Sequence, residues 1–201
     1  MTACRLVAKK NVAGLLRAYS YYINSYSDNP WPLVVAGDGP LMSELVELAC
    51  DLGIEKLVHF VGYKSANDLG PLYSLASVFI LASAFSEQWG LVVNEAMAAK
   101  KPVLVSRICG CVSDLAIDGI TGFTFDPYDI EGISTLLLKI SRGDYDLQKM
   151  GYEAQRKVKQ YSPELFAQHV IDAAELAVMR AKKRRFQTFD WLYLKLIENL
   201  I

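Results

Sequence analysis

Short apolar runs alternate with helical patterns along most of the chain, and this alternation constrains the fold more than any other feature of the sequence. The predicted strands are residues 2–7, 32–36, 57–61, 78–82, 102–106 and 121–125. The predicted helices are residues 12–22, 41–52, 66–74 and 91–99, and everything after residue 128 is predicted to be helical, with turns near Gly143 and Pro163. The first helix should bury Leu15, Leu16 and Tyr19. Such alternation builds a parallel sheet with helices on both faces, so the predicted fold is α/β and Rossmann-like, with further C-terminal helices.

The charge balance and the cysteines exclude several classes of function. The 201 residues carry 21 Lys and Arg against 22 Asp and Glu, and this balance does not favour the basic face of a nucleic-acid-binding protein. No run approaches the ~18 apolar residues of a membrane span, and the first residues lack the apolar region of a signal peptide. Cys4, Cys50, Cys109 and Cys111 do not have the spacing of metal ligands. We expect a cytoplasmic protein with reduced thiols, no metal and no nucleic-acid partner.

Two carboxylates, Glu87 and Glu95, stand on either side of a predicted strand-to-helix junction. Helical side chains lean toward the N-terminus of their helix, so Glu95 should face the same opening as Glu87. That opening presents backbone N–H groups and the positive end of the helix dipole, which suit a phosphate. Acidic groups beside a phosphate site suit sugar hydroxyls. The junction therefore predicts a nucleotide-sugar site.

Five motifs follow one another along the chain. They are residues 5–11 (RLVAKKN), 36–40 (AGDGP), 59–63 (HFVGY), the block 87–95, and 102–106 (PVLVS) followed by 119–123 (GITGF). In this order and spacing they resemble the C-terminal, donor-binding domain of retaining glycosyltransferases of the group 1 family, which have the two-domain GT-B fold. The resemblance implies a nucleotide-sugar-binding domain over residues 1–161. Residues 162–201 would then be a helical extension that packs on this domain or on an N-terminal one.

The resemblance also implies a cradle for the donor diphosphate. Arg5 would hold a phosphate bidentately, and Lys10 would supply a point charge. Both are predicted catalytic groups, because fixed cations stabilise the charge that develops on the leaving diphosphate. The same cradle would be completed by backbone N–H groups at Gly90, Leu91 and Val92.

Further residues of the predicted donor site follow from the same resemblance. Glu95 would accept hydrogen bonds from the ribose hydroxyls, and Glu87, the third predicted catalytic group, would face the donor sugar. Gly37 and Gly62 follow the second and third predicted strands and would lie beside the donor. The nucleotide sugar is a substrate here, and no cofactor is expected.

The implied function is a hexosyl-type transfer with retention, by front-face displacement, in the biosynthesis of a polysaccharide or glycoconjugate. One alternative is a noncatalytic nucleotide-sugar-binding fragment or subunit that needs a separate acceptor-binding domain. Another alternative is a sugar-nucleotide epimerase, but such an enzyme needs a histidine in the cleft. His59 falls in a predicted strand, which disfavours an epimerase.

Departures from the family pattern bear on the expected partners. Only four residues precede Arg5, where the family has an N-terminal, acceptor-binding domain, so that domain or an equivalent subunit is an expected partner. Cys4 replaces a glycine, Gln88 replaces a proline, and Lys100 and Lys101 replace a small residue and its neighbour.

Near the C-terminus, basic residues 182–185 precede an apolar stripe at helical spacing over residues 189–200. We expect this stripe to bind protein, with peripheral contact to an anionic membrane as the alternative.

Several other residues admit a structural role. Asp38 is expected to cap the following helix, with ligand contact as the alternative. Asp144, in the segment Asp144–Tyr145–Asp146, is expected to cap a helix and not to bind a metal ion. Trp89 is expected to pack, and the loop of Cys109, Gly110 and Cys111 to be tightly packed.

Overall fold

A computed structural model describes residues 1–25, 29–85 and 87–183 of the chain. The chain divides into two compact units, residues 1–159 and residues 160–201. Whether the second unit is a separate domain stays a prediction. The described strands all lie in the first unit and are β1 (Thr2–Ala3), β2 (Leu33–Ala36), β3 (Val58–Gly62), β4 (Phe79–Leu81), β5 (Val103–Ser106) and β6 (Gly122–Phe125).

Every named strand pair is parallel, and the strands lie in the order β1-β2-β3 and β4-β5-β6. Backbone hydrogen bonds join β4 to the start of β1. Ile80 N donates to Met1 O at 2.9 Å, and Met1 N donates to Val78 O at 2.9 Å. The combined order is β3-β2-β1-β4-β5-β6, whose direction of winding reverses between β1 and β4. Ligands of doubly wound sheets bind outside the carboxyl ends of the strands at this reversal.

Helices cover both faces of the sheet in the first unit. They are α1 (Val12–Ser25), α2 (Met42–Asp51), α3 (Ala66–Leu75), α4 (Leu91–Ala98), α5 (Val112–Leu115), α6 (Ile130–Ser141) and α7 (Leu147–Val158). Helix α1 packs against α6, and α4 packs against α7. Leu15, Leu16 and Tyr19 are buried in the core as predicted. The predicted fold class is confirmed.

The largest difference from the predicted elements concerns residues 2–7. Only Thr2 and Ala3 form a strand, although Cys4 N still donates to Ala36 O at 3.0 Å and Leu6 N to Asp38 O at 2.9 Å. The chain then turns through a 3-10 helix at Ala8–Lys10. The predicted segment therefore ends as a loop, and that loop brings its basic residues to the edge of the sheet. The short helix α5 was not predicted.

The second unit contains α8 (Pro163–Lys183) within its described residues. Proline suits the first position of a helix because its missing N–H has no intrahelical partner there. Phe166, Val170 and Ile171 are exposed on α8. The predicted apolar stripe at residues 189–200 lies outside the described residues. No helix in the described part of the chain is both long and apolar enough to cross a bilayer.

Candidate functional site

A cleft of about 400 Å³ opens at the carboxyl ends of β1, β2 and β3. It also reaches the first turn of α4, so it lies beside the reversal of the sheet. Among the predicted site residues, Arg5, Gly37 and Val92 line it, and Gly62 precedes the lining residue Tyr63. The remaining lining residues are Ala3, Cys4, Ala36, Asp38, Lys64 and Leu69.

Two loops meet through a charged cluster at the same reversal. Lys10 Nζ forms an ion pair and hydrogen bond with Glu87 Oε2, and Ser83 Oγ donates to the same oxygen at 3.2 Å. Lys9 Nζ lies 3.6 Å from Glu87 Oε1. The side chains of Glu87 and Lys10 are only 12% and 17% exposed. The structure thus brings together two residues that are 77 positions apart in the sequence.

The cluster determines the protonation state of Glu87. Burial alone would raise the pKa of its carboxyl group. The hydrogen bond and charge of Lys10, the charge of Lys9 and the hydroxyl of Ser83 outweigh burial, so the pKa lies below its ordinary value. Glu87 is therefore ionised at neutral pH.

The first turn of α4 follows Gly90, which has a φ of +96°. A Cβ atom at Gly90 would lie 2.8 Å from Leu81 Cδ2, so the close approach to β4 also favours glycine. Val93 N donates back to Gly90 O at 2.8 Å. The N–H groups of Leu91 and Val92 meet no acceptor within the described chain. They are the donors that a helix N-terminus offers to an anion.

Glu95 lies just over one turn into α4 and is exposed. Tyr73 Oη, from α3, donates a hydrogen bond to Glu95 Oε2 at 2.9 Å. Neither Tyr73 nor the Glu87 partners Lys9 and Ser83 were among the predicted site residues. The only available signals were a tyrosine in a short helix, a second lysine beside Lys10 and a serine four residues before Glu87.

Glycines and cysteines pack the loops around the site. A Cβ at Gly37 would lie 1.8 Å from Cys4 O, and one at Gly110 would lie 2.0 Å from Gln88 O. Burial raises the pKa of Cys109 to about 11 and that of Cys111 to about 12, so both are protonated thiols at neutral pH. The predicted tight packing of this loop is confirmed.

Two predicted helix caps were wrong. Helix α2 begins after Leu41 with no side-chain cap, and Asp38 Oδ1 instead accepts a hydrogen bond from Gly39 N at 2.6 Å. The cap of α7 is Asp146, whose Oδ1 accepts from Lys149 N at 2.9 Å, because the helix begins later than the position of Asp144 requires. Among the described residues, no group of three or more His, Cys, Asp or Glu side chains could hold a metal ion.

Trp89 is half-buried, and its Nε1 donates to Asn94 Oδ1 at 2.8 Å. The indole ring is therefore partly buried, as the packing prediction requires, and it also makes a hydrogen bond to α4.

A second cavity, of about 310 Å³, lies toward the amino ends of β2 and β4. Apolar residues such as Leu15, Leu33 and Val78 line it, together with the rings of Tyr19 and Tyr22, and its lining contains no charged side chain. A diphosphate needs cationic or N–H donors, so we assign the candidate site to the cleft at the carboxyl ends of the strands.

Comparison with known proteins gives a match to a family model. The profile described as "Glycosyl transferases group 1" matches residues 2–157. The D-inositol 3-phosphate glycosyltransferase of Corynebacterium kroppenstedtii is 29% identical over 182 residues, which are 88% of this chain and 40% of that protein. The O-antigen chain mannosyltransferase B of Escherichia coli is 30% identical over 172 residues, which are 84% of this chain and 43% of that protein. The chain therefore spans less than half the length of these relatives.

Solved structures share the fold. Anabaena Alr3699/HepE in complex with UDP matches with a TM-score of 0.77 and 21% identity, over 87% of this chain and 47% of that one. Staphylococcus aureus TarM matches with a TM-score of 0.76 and 21% identity, over 86% of this chain and 34% of that one. At this level of identity the likeness concerns the fold alone.

Proposed function

The chain belongs to the glycosyl transferases of group 1, and from that premise we propose that its first unit binds the nucleotide diphosphate portion of a sugar donor. The main support for the proposal is that three features lie together where the winding of the sheet reverses. They are Arg5, the cluster of Lys9, Lys10 and Glu87, and the N-terminus of α4. Cations and free N–H donors at such a position suit a diphosphate.

Arg5 and Lys10 would hold the diphosphate. Arg5 is exposed at the cleft, where its guanidinium group can bind phosphate oxygens bidentately. The Lys10 ammonium group has three donors, so its bond to Glu87 leaves others for a phosphate. Each such charge-assisted hydrogen bond contributes roughly 1.5–3 kcal/mol. The N–H groups of Leu91 and Val92 would complete the cradle.

The two carboxylates would bind hydroxyl groups. Glu95 would accept hydrogen bonds from the ribose, as acidic residues do in dinucleotide-binding folds. Glu87 would face the donor sugar from its position against Lys10 and Lys9. Gly37 would allow the loops that line the cleft to approach each other closely. Gly62 lies at the end of β3, beside the lining residue Tyr63.

The reaction would transfer a hexosyl group with retention of anomeric configuration. Glu87 is bound by two ammonium groups that lower its pKa, and a stabilised carboxylate is a weak nucleophile. This supports front-face displacement over a covalent glycosyl-enzyme. The bond from the anomeric carbon to the diphosphate oxygen breaks, the acceptor oxygen bonds to the same carbon, and the acceptor proton passes to the leaving diphosphate. Arg5 and Lys10 would stabilise the leaving charge without a metal ion.

The larger proposal concerns the whole protein. We propose that it builds a polysaccharide or glycoconjugate in the cytoplasm or at the membrane surface, with a further domain or subunit that holds the acceptor. Orientation of an acceptor against the donor is required for transfer. A noncatalytic subunit that only binds the donor is the second candidate. Release of nucleoside diphosphate from the donor by the chain alone, with an acceptor present, would contradict this second candidate.

Calorimetric titration of the chain with UDP, GDP and ADP tests the donor site. We expect one nucleotide to bind with a micromolar to submillimolar Kd, and Arg5→Ala and Glu95→Ala to weaken binding by about tenfold or more. Arg17→Ala on α1 and Glu47→Ala on α2 remove exposed charges of the same types and should leave the Kd unchanged. A folded wild-type chain that binds none of the three nucleotides would contradict the proposal.

A further inference from the structure

Tyr73 contacts the proposed ribose-binding carboxylate from below the protein surface. The tyrosine is only 3% exposed, whereas Glu95 is exposed, and Tyr73 Oη donates to Glu95 Oε2 at 2.9 Å. The two residues belong to different helices, α3 and α4, and lie 22 positions apart. The hydrogen bond therefore links a residue of the core to a residue of the site.

The core holds the tyrosine ring in place. The ring of Tyr73 packs edge-on against Phe79 of β4, with 5.7 Å between the ring centroids, and Phe79 is wholly buried. A buried aromatic side chain packed in this way has one available orientation, so its hydroxyl group has a fixed position. Burial and the bond to Glu95 both raise the pKa of Tyr73, which keeps the hydroxyl protonated as a donor.

The contact leaves most of the carboxylate available. An ionised carboxylate has about four lone-pair positions, and Tyr73 occupies one of them on Oε2. Glu95 Oε1 receives no hydrogen bond from the described residues. An exposed glutamate without a fixed partner would lose rotamer freedom on binding a ligand, whereas a side chain already held has less freedom to lose.

We propose that Tyr73 is a positioning residue that holds Glu95 in the conformation in which its carboxylate receives the ribose hydroxyls of a nucleoside diphosphate. The inference rests on the proposed function, because it assumes that Glu95 binds ribose. It adds a residue of α3 that acts through Glu95 and contributes to recognition of the ribose diol.

The test compares UDP, GDP and ADP with their 2′,3′-dideoxy analogues, using calorimetry at a temperature at which every variant is folded. For the nucleotide that the wild-type chain binds, we expect the ribose form to bind about tenfold more tightly or better. Tyr73→Phe removes one oxygen atom, and we expect it to reduce this preference by about three- to tenfold. The affinity for the dideoxy analogue should stay unchanged. Glu95→Ala should abolish the preference, and adding Tyr73→Phe to Glu95→Ala should change it no further.

Tyr19→Phe is the matched control. Tyr19 is also 3% exposed, and its hydroxyl donates to Trp31 O at 2.6 Å, on the opposite end of the sheet from the cleft. Tyr19→Phe should lower the melting temperature about as much as Tyr73→Phe does, but it should leave the preference for the ribose form of the nucleotide unchanged. The inference is overturned if Tyr73→Phe keeps the wild-type preference while Glu95→Ala loses it. It is also overturned if Tyr73→Phe weakens both nucleotide forms equally. A wild-type chain that binds no nucleotide overturns the proposed function and this inference with it.

Discussion

Lys100 adopts a backbone conformation that is unfavourable for a residue with a Cβ atom. Its φ is 59°, in the left-handed region, and it follows Ala99, the residue that caps the C-terminus of α4. Asn11 is the other residue apart from glycine with positive φ in the described chain, and asparagine tolerates this region better than lysine. The sequence had already marked Lys100 as a departure from a small residue. The structure supplies the reason why a small residue suits the position.

Lys100→Gly should stabilise the protein. The left-handed conformation strains a residue with a Cβ by roughly 1–2 kcal/mol, and the greater freedom of glycine in the unfolded chain offsets part of the gain. We expect an increase of about 0.5–1 kcal/mol in the free energy of unfolding, measured by urea denaturation. Lys100→Ala removes the same side chain but keeps the Cβ, so it should give no such increase. Equal effects of the two variants would show that the lysine side chain, and not the backbone, is responsible.

Glu87 should make stability depend on pH. Its pKa is lowered in the folded protein, chiefly by Lys10 against the opposing effect of burial. A lowered pKa stabilises the folded state above the ordinary value of 4.5, and this stabilisation is lost as the pH falls through the folded pKa. Urea denaturation from pH 3 to pH 7 should therefore show the wild-type chain gaining stability over Glu87→Gln as the pH rises. Glu47→Gln, which removes an exposed carboxylate on α2, is the control. A constant difference between wild type and Glu87→Gln would contradict the prediction.

At the scale of elements, the loops after β1 and β2 are packed against each other, and this contact forms one wall of the cleft. Leu6 N donates to Asp38 O, and Gly37 N donates to Gly62 O at 2.8 Å, so the loops after three neighbouring strands are joined. Gly37 and Gly62 both have positive φ, of 136° and 71°. Their surroundings differ, because a Cβ at Gly37 would meet backbone atoms of Cys4 whereas one at Gly62 would meet nothing within 4 Å.

Alanine substitutions should separate these two glycines. At Gly62 the penalty is conformational alone, about 1 kcal/mol in the free energy of unfolding. At Gly37 a Cβ only 1.8 Å from Cys4 O forces backbone to move, and we expect a loss of about 3 kcal/mol or more, together with weaker nucleotide binding. Urea denaturation and calorimetry measure both effects. Equal losses of unfolding free energy in the two variants would contradict this prediction, because they would mean that the backbone around Gly37 moves to accept a Cβ atom at no cost.

At the scale of the whole molecule, donor binding should stabilise the first unit against heat. A ligand at a hundred times its Kd adds about 2.7 kcal/mol to the folded state. For a chain of this size each kcal/mol raises the melting temperature by about 2–4 °C, so we expect a rise of about 5–11 °C with the nucleotide that binds. Arg17→Ala should show the same rise, whereas Arg5→Ala, whose Kd we expect to be at least about tenfold higher, should show about half that rise or less at the same concentration. A rise of equal size in Arg5→Ala would place the nucleotide elsewhere.

The element order and the buried face of α1 could be predicted from the sequence because they depend on local periodicity. Leu15, Leu16 and Tyr19 recur at helical spacing, and that spacing requires one face to be buried wherever the helix packs. The two helix caps were missed because the sequence does not fix the residue at which a helix starts: α2 begins after Leu41, three residues beyond Asp38, and α7 begins after Asp146, two residues beyond Asp144. Asp146, and not Asp144, therefore caps α7.

The sequence by itself determined the family, the α/β class and the main groups from which the candidate site is built, since motifs and periodicity are properties of neighbouring residues. Only the tertiary structure decided that β1 lies beside β4, that Lys10 and Lys9 meet Glu87, and that Tyr73 reaches Glu95. These contacts join residues from 22 to 79 positions apart. Their geometry depends on how the sheet winds and how the helices pack on it, and no local pattern contains that information.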